Sequence, residues 1–152
     1  MHHVTVTESI RVDAPPERVF DVTQDYARRA SWDASIRSVD VLEPADAAAK
    51  RGPLVRVHAQ GGLEALFRYK RYDRPRGTSL AMEDVRSPWI EGGGGAWTYE
   101  AVEGGTLFTQ TNTLVLNPGF LSGCLAPFVR WSLRSSTRRA LAKAKTFVER
   151  GG

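Results

Sequence analysis

The chain has a single cysteine, Cys124, among 152 residues, so no disulfide can form within it. Histidines number only three, and none stands with the thiol and acids at zinc-site spacing. No apolar run approaches the ~20 residues that a membrane span needs. The opening MHHVTVTESI lacks the apolar stretch of a secretory leader, so the expected location is cytoplasmic. The glycine run Gly92 to Gly95 does not follow a strand and open a helix in the dinucleotide pattern, and no Gly-Lys-Ser/Thr follows it. A nucleophile elbow is also missing. Neither a cofactor nor a metal is implied.

What is present suits a soluble globular domain: 41% hydrophobic and 25% charged residues, with enough length to bury a core. One domain spanning residues 1–152 is expected. The formal charge is +4, with the excess near the C-terminus and around Arg68 to Arg76. Neither stretch is a dense basic block interleaved with aromatics, so nucleic acid is a poor partner. The excess reads first as a plain solvated face, and next as peripheral contact with an acidic membrane through Arg130, Arg134 and Arg138. A monomer or a homodimer would fit. Cys124 sits in an apolar segment and reads as a small buried hydrophobe.

Pattern gives the organisation. VTVTESIRV is β-rich with partial alternation. Asp13-Ala14-Pro15-Pro16-Glu17 suits a helix's first turn, where missing amide donors cost nothing, and a short helix over 15–24 would bury Val19, Phe20 and Thr23. Another helical turn at Tyr26 to Ala30 leads to Trp32, and Ile36 to Leu42 reads as a strand. Gly61-Gly62 and Gly104-Gly105 each punctuate a hairpin, because paired glycines supply the positive backbone angles of tight turns. Ser79 to Val85 is a strand between them. Ser87 to Gly95 is expected to be a mobile loop forming a lip. From about Pro127 to Arg150, Val129, Leu133, Ser136, Ala140, Ala144 and Phe147 recur at helical steps, with arginines on the opposite side. Phe120 to Leu125 adds a first turn or two, and Pro127 should kink or restart the helix.

The hairpins predict which side chains meet. With Gly104-Gly105 as the turn, Trp97, Tyr99, Phe108, Gln110 and Asn112 share the inward face, and threonines face water. With Gly61-Gly62 as the turn, Arg56, His58, Ala65, Phe67 and Tyr69 share one face, taken as inward. The alternative face carries Val55, Val57 and Leu66, and a one-residue slip would exchange the two. Leu80 and Met82 should point in, with Asp84 near the mouth. Ser132 and Ser136 interrupt the apolar stripe of the helix. They either leave space above the sheet or sit at a partly exposed boundary.

The phrases DAPPERVFDVTQDYARRASWDASI, GGLEALFRYKRYDRPRG and GAWTYEAVEGGTLFTQTNTLVL, with a closing helix ending ALAKAKTFVER, cover nearly the whole chain. Together they resemble the START-like (SRPBCC, helix-grip) superfamily, particularly its bacterial polyketide cyclase/dehydrase branch. The resemblance implies an α+β fold in which a curved antiparallel sheet of about seven strands, ordered β-α-α-β-β-β-β-β-β-α, wraps a long C-terminal helix. It implies a hollow for a hydrophobic small molecule, and it leaves the activity open.

Three readings follow. The chain binds or carries a lipid-, polyketide- or aromatic-type molecule. Alternatively it is a cyclase/dehydratase folding a poly-β-ketone, with Arg56, His58 or a tyrosine moving protons. Or it is an accessory module on a membrane or protein. The candidate ligand-binding residues are Arg56, His58, Phe67, Tyr69, Met82, Trp97, Tyr99, Phe108, Gln110, Asn112, Phe128, Ser132 and Ser136, since apolar walls with a few convergent polar groups are what small-molecule sites look like.

Overall fold

The computed structural model describes residues 2–119 and 122–151. Phe120 and Leu121, assigned above to the opening of the last helix, lie outside the described residues. Strand β1 (His2–Val12) leads into two short helices, α1 (Pro16–Thr23) and α2 (Tyr26–Trp32). Pro16 opens α1, and the Asp25 carboxylate caps α2 by accepting from the Ala27 amide at 3.0 Å. Six strands follow: β2 (Ile36–Glu43), β3 (Leu54–Ala59), β4 (Glu64–Asp73), β5 (Gly77–Arg86), β6 (Ile90–Val102) and β7 (Gly105–Leu116). Helix α3 (Ser122–Glu149) closes the chain. It continues through Pro127 as one helix, so the expected restart is not observed.

All pairings are antiparallel, in the order β1-β7-β6-β5-β4-β3-β2. The inner face of the sheet holds Val4, Val6 and Val12 of β1 and Trp97, Tyr99 and Phe108 of the β6–β7 hairpin, all buried. Leu141, Ala144 and Val148 of α3 complete the core with Val19 and Phe20 of α1. Each fully buried large side chain contributes roughly 1.5–3 kcal/mol. The outer face is polar. A ladder of hydroxyl pairs, Thr5–Thr113 at 3.0 Å, Thr7–Thr111 at 3.0 Å and Ser9–Thr109 at 2.7 Å, binds β1 to β7 on that side.

Register decides which expectations hold. In the β6–β7 hairpin Val102 pairs with Gly105 and Trp97 with Gln110. The turn is therefore Glu103-Gly104, with Gly104 at φ +76°. That differs from the predicted pairing by two residues, which preserves the faces. In the β3–β4 hairpin Val55 pairs with Phe67 and Val57 with Ala65. The turn takes three residues, Gln60-Gly61-Gly62, and the pairing differs by one. That slip inverts β3. Val55 and Val57 are buried, and Arg56 and His58 lie on the opposite, outer face.

The glycine run is also corrected. Gly92 to Gly95 are strand residues in β6, paired with β7 and, at Gly94 and Gly95, with β5. A Cβ on Gly94 would stand 2.5 Å from the Leu80 carbonyl oxygen, so glycine is what lets these strands approach. Cys124 is exposed rather than buried.

Candidate functional site

A cavity of about 280 Å³ lies between the sheet and α3. Its existence traces to small residues. β6 contributes Gly94 and Gly95, and α3 contributes Ser136, Thr137 and Ala140, where larger side chains would close the gap. The walls are mostly apolar: Val57, Leu63, Phe67, Leu80, Met82, Ile90, Trp97, Leu114 and Leu133. Gln110 and Asn112 reach it from β7. Asn112 Nδ2 donates to Thr137 Oγ1 at 2.9 Å, and Gln110 Nε2 to Asn112 Oδ1 at 3.3 Å.

One end of the cavity is polar, a feature absent from the sequence-based expectations. Arg29 and Asp33 of the α2 segment line it and form a buried ion pair, Nε to Oδ2 at 2.9 Å, with side chains only 8% and 5% exposed. Asp33 Oδ1 also accepts from the Ser35 amide at 3.1 Å and the Ser35 hydroxyl at 2.5 Å. Three rings enclose the guanidinium: Trp97 at 4.1 Å, Trp32 at 4.9 Å and Tyr26 at 5.4 Å. Burial pulls the Arg29 pKa down, but the Asp33 carboxylate and the neighbouring phenols outweigh it, so the group stays firmly charged. Arg29 Nη1 reaches the Thr23 carbonyl at 3.5 Å. Its Nη2 finds no acceptor among the described residues. The sequence signal was an Arg-Asp pair at i, i+4 in a segment rich in aromatics. Without knowing which face of α2 is buried, that pair reads as surface charge.

Tyr69 and Tyr99 do structural work. Tyr99 Oη bonds Thr23 Oγ1 at 2.7 Å and accepts from Gln24 Nε2 at 2.8 Å. Tyr69 Oη donates to Gln24 Oε1 at 2.7 Å and bonds Tyr26 Oη at 2.7 Å. This chain ties α1 and α2 to the sheet. Desolvation raises both phenols well above their ordinary pKa. Phe108 stacks on Tyr99, centroids 5.0 Å apart, inside the core.

Of the predicted ligand-binding residues, Phe67, Met82, Trp97, Gln110, Asn112 and Ser136 line the cavity. Ser132 and Ser136 border a cleft that continues it towards solvent. Phe128 is exposed on α3, beside Trp131. Arg56 pairs with Glu64 at 3.5 Å and Asp84 at 3.2 Å, and His58 with Asp40 at 3.1 Å and Glu64 at 3.4 Å, all outside the cavity. Asp84 is therefore not at the mouth: a bulge in the β4–β5 pairing, with Asp84 at φ +46°, turns it towards Arg56. The basic stripe of α3 lies along β1. Arg134 and Arg138 pair with Glu8 at 3.1 and 3.2 Å, and Arg130 donates to the Thr5 carbonyl at 2.8 Å.

The family profile described as polyketide cyclase/dehydrase and lipid transport matches residues 3–149. The chain belongs to that family. No curated protein matches the sequence. Among solved structures, the Zhui aromatase/cyclase from a Streptomyces species superposes with a TM-score of 0.82 at 18% identity, over 98% of this chain and 95% of that one. A START superfamily protein from Mycobacterium smegmatis gives 0.76 at 16% identity, over 99% and 100%. The di-domain ARO/CYC BexL gives 0.75 at 21% identity, over 97% of this chain and 50% of its own, so the present chain spans about half the length of that protein. These likenesses establish the helix-grip fold: seven antiparallel strands curved against the C-terminal helix. No helix among the described residues is long and apolar enough to cross a membrane.

Proposed function

We propose that this member of the family binds or carries a hydrophobic small molecule in the cavity between sheet and α3. The observation that carries the reading is the lining. It is an apolar enclosure with neutral hydrogen-bonding groups, in which the one charged pair, Arg29 and Asp33, is internally balanced. Arg56 and His58, the sequence-predicted candidates for proton transfer, lie on the outer sheet face. Cyclase chemistry would instead have to use Arg29, whose open Nη2 could polarise a carbonyl, together with Tyr26. A balanced pair fixed on both sides is better suited to positioning a ligand than to cycling a proton.

The test is native mass spectrometry of the protein purified from its own organism, followed by titration with the neutral fluorophore N-phenyl-1-naphthylamine. The reading expects a co-purifying organic mass, or saturable probe binding at one site. Absence of both would overturn it.

A further inference from the structure

The cationic side chains of α3 fall into two sets. Arg130, Arg134, Arg138 and Lys145 lie along β1, bonded to Thr5, Glu8 and Arg11. Arg139 and Lys143 make no ion pair or hydrogen bond among the described residues. They face the other way. With Ser132 and Ser136 they form one stripe at helical spacing along a cleft of about 410 Å³ between α3 and the α2–β2 turn. That cleft shares Asp33, Ser35, Gln60, Ser136 and Ala140 with the main cavity, so it is the cavity's mouth. Among the described residues lining the mouth, the one acid, Asp33, is neutralised by Arg29. The interior therefore carries no net charge, while its rim carries two unpaired cations.

We infer that the ligand is an amphiphile with a single anionic head, carboxylate or phosphate, held at the mouth by Arg139 and Lys143, its uncharged body lying in the cavity. This rests on the binding function proposed above. An anion drawn further in would meet no uncompensated cation and would lose its hydration. At the rim it keeps water on one side and gains two attractive charges on the other. The two long side chains need no rearrangement of the core to follow the head.

The experiment is displacement of N-phenyl-1-naphthylamine by dodecanol, dodecanoate and dodecyl phosphate at low salt. The inference expects both anionic amphiphiles to displace the probe about tenfold better than dodecanol, roughly the effect of 1.4 kcal/mol. It expects that preference to shrink as salt rises. In the double variant Arg139→Gln/Lys143→Gln the preference should vanish, with dodecanol competing as before. The better of the two anions identifies the head group. Equal displacement by all three in the wild type, or a preference untouched in the double variant, would overturn the inference while leaving the cavity intact. Failure of the probe to bind the wild type would instead strike the binding function itself.

Discussion

The guanidinium of Arg29 lies 4.1 Å from the centroid of the Trp97 ring, joining a helix of seven residues to the middle of the sheet. This contact, with the Asp33 pair, forms the polar end of the cavity beside its mouth. Removing one partner of a buried pair leaves the other charge stranded, at a cost of about 3–5 kcal/mol. Arg29→Met should therefore destabilise the fold by that order in urea unfolding. The double variant Arg29→Met/Asp33→Asn should lose less than Arg29→Met alone, because no lone carboxylate remains. A single variant within ~1 kcal/mol of wild type would show that the pair carries no such strain.

Arg56→Ala and His58→Ala should leave the affinity for a cavity ligand within about twofold, well under 1 kcal/mol. Both side chains sit on the outer face among Asp40, Glu64 and Asp84. Fluorescence titration checks this, and a tenfold loss in either variant would place them inside after all.

The chain has four tyrosines, and desolvation raises the pKa of Tyr69, Tyr72 and Tyr99. A group whose pKa is raised by folding adds stability below its unfolded value and loses it as pH climbs past that value. For a phenol the unfolded value is about 10. Stability should therefore be insensitive to these groups up to pH ~10 and fall above it. Absorbance at 295 nm should show buried tyrosines ionising late and together with loss of circular dichroism. Full ionisation near pH 10 with the fold intact would contradict the Tyr69–Gln24–Tyr99 network.

Gly94→Ala should destabilise the protein by roughly 1–3 kcal/mol, since the added carbon would press on the Leu80 carbonyl and part the β5–β6 pairing. Thermal unfolding measures this. An unchanged midpoint would mean that the strands yield freely there.

How far the sequence could be read depended on parity. Glycine pairs located both hairpins, but each turn was placed wrongly. At Glu103-Gly104 the turn moves by one residue and the pairing by two, so Trp97, Gln110 and Asn112 keep their place on the cavity face. At Gln60-Gly61-Gly62 the pairing moves by one residue, so Arg56 and His58 took the places that belong to Val55 and Val57. Alternation fixes strand faces only once the loop length is known, and nothing local separates a two-residue turn from a three-residue one. The glycine run differs for a related reason: four glycines read as a loop, and only the close approach of β5 at Gly94 and of β7 at Gly93 and Gly95 explains them as strand. Arg29 and Asp33 were missed because their burial is conferred by tertiary packing against Trp97, more than sixty residues away in the chain. Of the α3 serines, Ser136 lines the cavity where helix and sheet do not meet, whereas Ser132 stands at the exposed boundary.

The most direct test of the account is the affinity of N-phenyl-1-naphthylamine for wild type and for Ser136→Phe, which places a ring in the cavity from the α3 side. A guest held between sheet and helix should bind at least about tenfold more weakly to the variant, a loss of roughly 1.4 kcal/mol, while the unfolding midpoint is kept. Equal affinity in a folded Ser136→Phe protein would show that the guest lies elsewhere.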